Sequence, residues 1–113
     1  MKFQYHRPLP IPRDQAEAAF QSGEPHRIRE ALIRCAFHEE DYSWVEGRCL
    51  EYLRHPDPTI RQVAATSLGH LGRIHGTLDA ARVIPALQAL LVDSEVAGSA
   101  QDALDDIRRF VGQ

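Results

Sequence analysis

The sequence predicts an all-α fold, a short α-solenoid of about three helix pairs behind an extended, proline-rich arm, and three observations predict it. The run His55-Pro56-Asp57-Pro58-Thr59-Ile60-Arg61-Gln62-Val63-Ala64-Ala65-Thr66-Ser67-Leu68-Gly69-His70-Leu71-Gly72 writes a tight turn, a helix start, an amphipathic helix and a glycine stop in one stretch. Asp57 can cap the orphan N–H groups of the first turn, and Pro58 suits the first helical position, where no N–H is needed. Ile60, Val63, Ala64, Leu68 and Leu71 then share one helical face, and Ala64, Ala65 and Ser67 are small enough to admit a neighbouring helix closely. The second observation is recurrence. Ile28-Arg29 stand 32 positions before Ile60-Arg61, with Ala36 under Leu68 and His38 under His70. Val96, Ala100, Leu104 and Ile107 stand 36 positions after Ile60, Ala64, Leu68 and Leu71. A unit of two helices cannot bury its apolar face alone, so repetition is what such a helix needs. Third, no stretch alternates apolar and polar residues as a half-buried strand would.

Each element follows from local signals. Pro8, Pro10 and Pro12 hold the arm over residues 1–13 extended, because proline fixes its own φ and restrains the residue before it. A short helix runs from about Asp14 to Phe20, closed by Ser22-Gly23, and the next from about Pro25 to His38. Ser43, with Glu46 three residues on, forms a capping box for a third helix through about Arg54. The fourth helix ends near Ile74, and Gly76 breaks the chain. The last two run from about Leu78 to Val92 and from Glu95 to Val111, with Ser94 as the cap between them. The repeats then occupy 14–40, 41–76 and 77–113 of a single domain.

The run from His55 to Gly72 resembles the second helix of a HEAT repeat, of the short kind also found in phycobilin lyases. Val83-Ile84-Pro85-Ala86-Leu87-Gln88-Ala89-Leu90-Leu91 resembles the first helix of such a unit, proline included, and Glu46 to Leu53 is its counterpart in the middle unit. The resemblance implies that Arg61 pairs with the acidic turn residue Asp57, and that Arg29 repeats this role, while Ala97 leaves the third unit without it. It does not carry enzymatic chemistry over. Deoxyhypusine hydroxylase holds iron through repeated His-Glu pairs, and His38-Glu39 is the one such pair here. No residue matches a site of bilin attachment, and the basic wall of the HEAT-like alkylpurine glycosylases has no counterpart.

Composition narrows the function further. The net charge of −3 argues against a nucleic-acid binder. No apolar run approaches a membrane span, and Met1 to Pro8 lacks the apolar core of a signal peptide, so a cytoplasmic location is expected. Cys35 and Cys49 lack metal-binding spacing and fall on apolar faces, as buried free thiols do. The six histidines contain no i, i+4 ligand pair, and His38, His70 and Asp106 are the single row that adjacent helices could align for zinc. There is no phosphate-binding glycine loop and no nucleophile elbow. The expectation is a protein without catalytic residues, metal or cofactor.

The positions opposite the small-residue seam form the candidate binding wall. They are Gln62, Thr66, His70 and Arg73 in the middle unit, with Glu30, Arg34, His38 and Asp41 before them, and Gly98, Asp102, Asp106 and Arg109 after them. Acid gathers at two corners: Glu39-Glu40-Asp41 running on to Glu46, and Asp102 with Asp105 and Asp106. Such runs are either solvated faces or a surface for a basic partner. Tyr42 and Trp44, beside the first corner, are open to two roles, a core staple or a binding hot spot. The arm, with Phe3 and Tyr5, either packs on the first unit or docks on a partner. Small acidic HEAT-type proteins occur among bacterial immunity proteins, which neutralise a toxin domain delivered by a neighbouring cell. The function expected is therefore binding of a protein partner, a basic toxin domain of nuclease type, with a general scaffold or adaptor as the first alternative and a lyase-type or metal-dependent enzyme as the second.

Overall fold

The computed structural model describes residues 8–111, and six α-helices account for most of them. They are α1 (Arg13–Ser22), α2 (Pro25–His38), α3 (Tyr42–Tyr52), α4 (Pro58–His75), α5 (Ala80–Ala89) and α6 (Ala97–Phe110), with a 3-10 turn at Leu90–Val92 after α5. No strand occurs among the described residues. Phe3, Tyr5 and His6 lie outside the described residues.

The middle of the chain forms its elements for the reasons its sequence suggests. Asp57 caps α4, its carboxylate accepting from the Thr59 N–H at 2.8 Å and from the Thr59 hydroxyl at 2.7 Å. These bonds hold the Asp57 carboxyl below its usual range. Gly23 and Gly76 end α1 and α4 with φ of 71° and 68°, a left-handed geometry in which a Cβ would clash.

α4 is the centre of the packing. α2 lies along one side of it and α6 along the other, while α1, α3 and α5 each pack on the helix that follows. Ile60, Ala64, Leu68 and Leu71 are fully buried along one stripe of α4. Burying a branched aliphatic side chain of this size contributes about 1.5–3 kcal/mol, so this stripe is a large part of the core. Gly69 brings α6 close: a Cβ there would stand 3.0 Å from the Ala103 Cα.

Polar side chains tie successive helix pairs together. Arg29 donates to the Thr59 hydroxyl at 2.8 Å, Arg61 to Asp93 at 3.1 Å, and Gln62 to the Glu95 carbonyl at 2.6 Å. In the outer layer Arg13 meets Asp41 at 3.3 Å, and Arg48 pairs with Glu17.

Several local expectations are corrected. Asp41, not Ser43, caps α3, accepting from the Trp44 N–H at 3.2 Å. Glu46 is therefore released from a capping box and, 3% exposed, is no part of an acidic corner. Its carboxylate crosses to α5, accepting from the Asp79 N–H at 2.8 Å, and this bond holds Leu78 and Asp79 ahead of the helix rather than in it. Ser94 caps nothing. Asp93 shapes that turn instead, its side chain accepting from Glu95 N–H and its carbonyl from Val96 and Ala97, which delays α6 to Ala97. Arg61 pairs with Asp93 in the following turn rather than with Asp57, whose carboxylate is engaged by Thr59, and it also donates to the carbonyls of His55 and Pro56.

Candidate protein-interaction face

The exposed sides of α2, α4 and α6 meet in a groove of about 460 Å³, open to solvent. α2 contributes Arg29, Glu30 and Ile33, α4 contributes Gln62, Val63 and Thr66, and α6 adds Ser99 rather than Gly98. Glu30, Gln62 and Thr66 thus come together as the sequence suggests. Glu30 is flanked on its own helix by His26 at 4.0 Å and Arg34 at 3.7 Å. Gln62 is partly committed to the start of α6 through Glu95, while Thr66 is exposed.

Beyond the groove the row continues through His70, but its neighbour is not His38. Phe37 stands against the His70 ring with centroids 4.7 Å apart, and Asp106 lies on the other side, near Gly69. Arg73 donates to His70 Nδ1 at 2.7 Å, so the neutral ring carries its proton on Nε2. Burial first, and the Arg73 charge second, hold the His70 pKa below its ordinary value, with Asp106 opposing them. A guanidinium donating to the ring nitrogen leaves this row poorly suited to zinc. Among the described residues no group of three or more histidine, cysteine or carboxylate side chains is placed to hold a metal ion.

Arg34 and His38 serve the arm. Arg34 donates through Nε to the Leu9 carbonyl at 2.9 Å and through its terminal nitrogen to the Pro10 carbonyl at 2.7 Å. His38 Nε2 reaches the Pro8 carbonyl. Residues 8–10 are thereby clamped along α2, with the Leu9 side chain 70% exposed. The described part of the arm packs on the chain itself.

The first acidic corner is largely engaged. Glu39 accepts from the Asp41 N–H at 3.1 Å, Asp41 caps α3 and meets Arg13, and Glu40 remains exposed. Trp44 is half-buried beneath the Arg13 guanidinium, 4.1 Å from ring centre, and 6.3 Å from Phe20. Tyr42 packs against His75, ring centres 5.3 Å apart. Both aromatics therefore act as staples between helices. On α6, Asp102, Asp105 and Arg109 are exposed, and Asp105 accepts from Gln101 at 2.9 Å.

Arg29, Ile33 and Phe37 join this face without being expected there from the sequence. They recur every four residues along α2, the spacing of one helical stripe, which is the signal that could have found them.

Among solved structures, the chain is similar to one in the crystal structure of the CDI complex from Cupriavidus taiwanensis LMG 19424. The two are 34% identical, with 96% of this chain and 98% of that chain covered and a TM-score of 0.85. No family model matches the chain, and no curated protein matches it.

Proposed function

Since the chain belongs to the same family as that subunit of the Cupriavidus taiwanensis CDI complex, we propose that it is an immunity protein of contact-dependent growth inhibition. In this role it acts in the cytoplasm by binding a toxin domain and blocking its active site, without catalysis of its own. The observation that carries the reading is the end-to-end similarity at 34% identity to a chain from a complex of this kind. The excess of acid is in keeping with it, because a negative surface speeds association with a basic cleft and sets register. No helix among the described residues is long and apolar enough to cross a membrane.

The α2, α4 and α6 row backed by α1, α3 and α5 reads as three HEAT-like pairs, supported by cross-links that each span 30 to 33 residues. The binding face is then the groove of Glu30, Gln62 and Thr66, extended by His70, Arg73 and the α6 acids Asp102, Asp105 and Asp106.

The test is co-expression with the C-terminal domain of the protein encoded immediately upstream. Growth arrest by that domain, relieved by this chain, is the expected result. Arrest on expression of this chain alone would make it the toxic member of such a pair. A harmless neighbour, or arrest that persists, would move the weight to a general scaffold. Reversing Asp102 and Asp105 to lysine is expected to slow association and flatten its salt dependence; unchanged rates would show that the acidic surface plays no part in binding.

A further inference from the structure

The outer layer carries a second surface, on the side away from the groove just described. Counted from their caps Asp41 and Asp79, α3 and α5 bury equivalent positions: Val45 and Val83 stand fourth, and Cys49 and Leu87 eighth. The seams these two helices make with their predecessors nevertheless differ. Between α1 and α3, the third residue Trp44 and the seventh residue Arg48 close the gap. Arg13 lies over Trp44, while Arg48 pairs with Glu17 and sits 5.2 Å from the centre of the Phe20 ring.

Between α3 and α5 the same two positions hold Arg82 and Ala86. The seventh residue has lost its long side chain, and the third has lost its ring. What remains is a groove of about 490 Å³, lined by Gly47, Leu50, Glu51, Arg54, Arg82 and Ala86. Its charges are not balanced within it. Glu51 is held by Arg48 at 3.2 Å, and Arg82 lies 3.8 Å from a Glu46 carboxylate that already accepts from Asp79. Arg54 is exposed and makes no ion pair among the described residues. The groove therefore offers an apolar floor with guanidinium groups at its rim.

We propose that this α3/α5 groove docks an acidic segment of a protein partner that carries an aromatic side chain. The ring takes the place that Trp44 and Phe20 fill in the first seam, over Leu50 and Ala86, and a flanking carboxylate meets Arg54 as Glu17 meets Arg48. Guanidinium over aromatic ring and guanidinium to carboxylate are the two contacts that close the first seam; in the second, Arg82 has Glu46 and Glu51 has Arg48, while Arg54 makes neither contact among the described residues.

The test is an NMR titration of the full chain with the tripeptide acetyl-Asp-Trp-Glu-amide, with acetyl-Lys-Trp-Lys-amide as control. The expected result is saturable shifts at the Gly47 amide, the Leu50 and Ala86 methyls and Arg54 Nε, seen with the acidic peptide alone. Arg54→Glu is expected to weaken binding roughly tenfold. Ala86→Arg, which restores the seventh-position guanidinium of α3, should fill the groove and abolish binding. Absence of localised shifts in the wild type, equal response to the lysine peptide, or binding retained in the variants would overturn the proposal. If Ala86→Arg loses amide dispersion, Arg54→Glu, at an exposed site, decides the matter.

Discussion

Replacing glycine by alanine inside a helix has opposite consequences at two positions of this chain. Alanine is the better helix former by about 1 kcal/mol, so the change should stabilise wherever there is room. At Gly47, in the middle of α3, an added Cβ meets nothing within 4 Å. At Gly69 the same atom would stand 3.0 Å from the Ala103 Cα and 3.3 Å from its Cβ, where backbone in the middle of α6 must give way. Overpacking of this kind costs about 1–3 kcal/mol, which exceeds the gain in propensity. Gly47→Ala is expected to gain up to about 1 kcal/mol and Gly69→Ala to lose about 1 kcal/mol. At about 4 °C per kcal/mol, the midpoints should separate by roughly 8 °C. Urea and thermal melts followed by far-ultraviolet dichroism read both. Equal stabilisation of the two variants would refute the close α4–α6 packing.

Arg61→Ala removes two hydrogen bonds to the His55 and Pro56 carbonyls in the turn before α4, and the partly buried ion pair with Asp93 that joins α4 to the turn before α6. It should cost about 2–4 kcal/mol in denaturant unfolding, with Arg61→Lys recovering little, and a loss under about half a kcal/mol would contradict the role assigned. His70 titrates below its unfolded value, so its contribution to stability is full above about pH 6.5 and falls away as the pH drops through that value. Melts at about pH 7.5 and about pH 5.5 should show a smaller loss for His70→Gln than for wild type; equal losses would count against the buried neutral ring. Burial pushes the Cys35 thiol up to about 11 and Cys49 further in the same direction. Both should resist a disulfide reagent at about pH 8 until the chain is unfolded, and rapid labelling of the folded protein would show that they are accessible.

What is legible in the sequence is local. α4 declares its turn, cap and apolar stripe within one stretch, and its capping residue Asp57 does what its spacing suggests, but the helix runs on through Gly72 and stops at Gly76. Glu46 misleads because a capping-box pattern with Ser43 lies nearby, whereas its partner, the Asp79 N–H, is 33 residues away. Arg61 misleads in the same way, since the nearest acid in sequence is not the one it meets. The face itself reads one position off at Phe37 and His38, and one residue turns a helix by about 100°, enough to send His38 to the arm and leave Phe37 against His70. Alternating prolines foretell an extended arm, but the helix it lies on depends on Arg34 and His38 finding its carbonyls.

The role proposed for this chain is to neutralise a toxin by forming a complex with it. The most direct measurement is titration of the purified upstream toxin domain with this protein, reading complex formation by calorimetry and residual toxin activity in the same samples. The expected result is a saturating complex of fixed stoichiometry, nanomolar affinity of about −12 kcal/mol, and loss of activity at the same equivalence point. A toxin that stays fully active in the presence of excess protein, with no heat of binding, would contradict it.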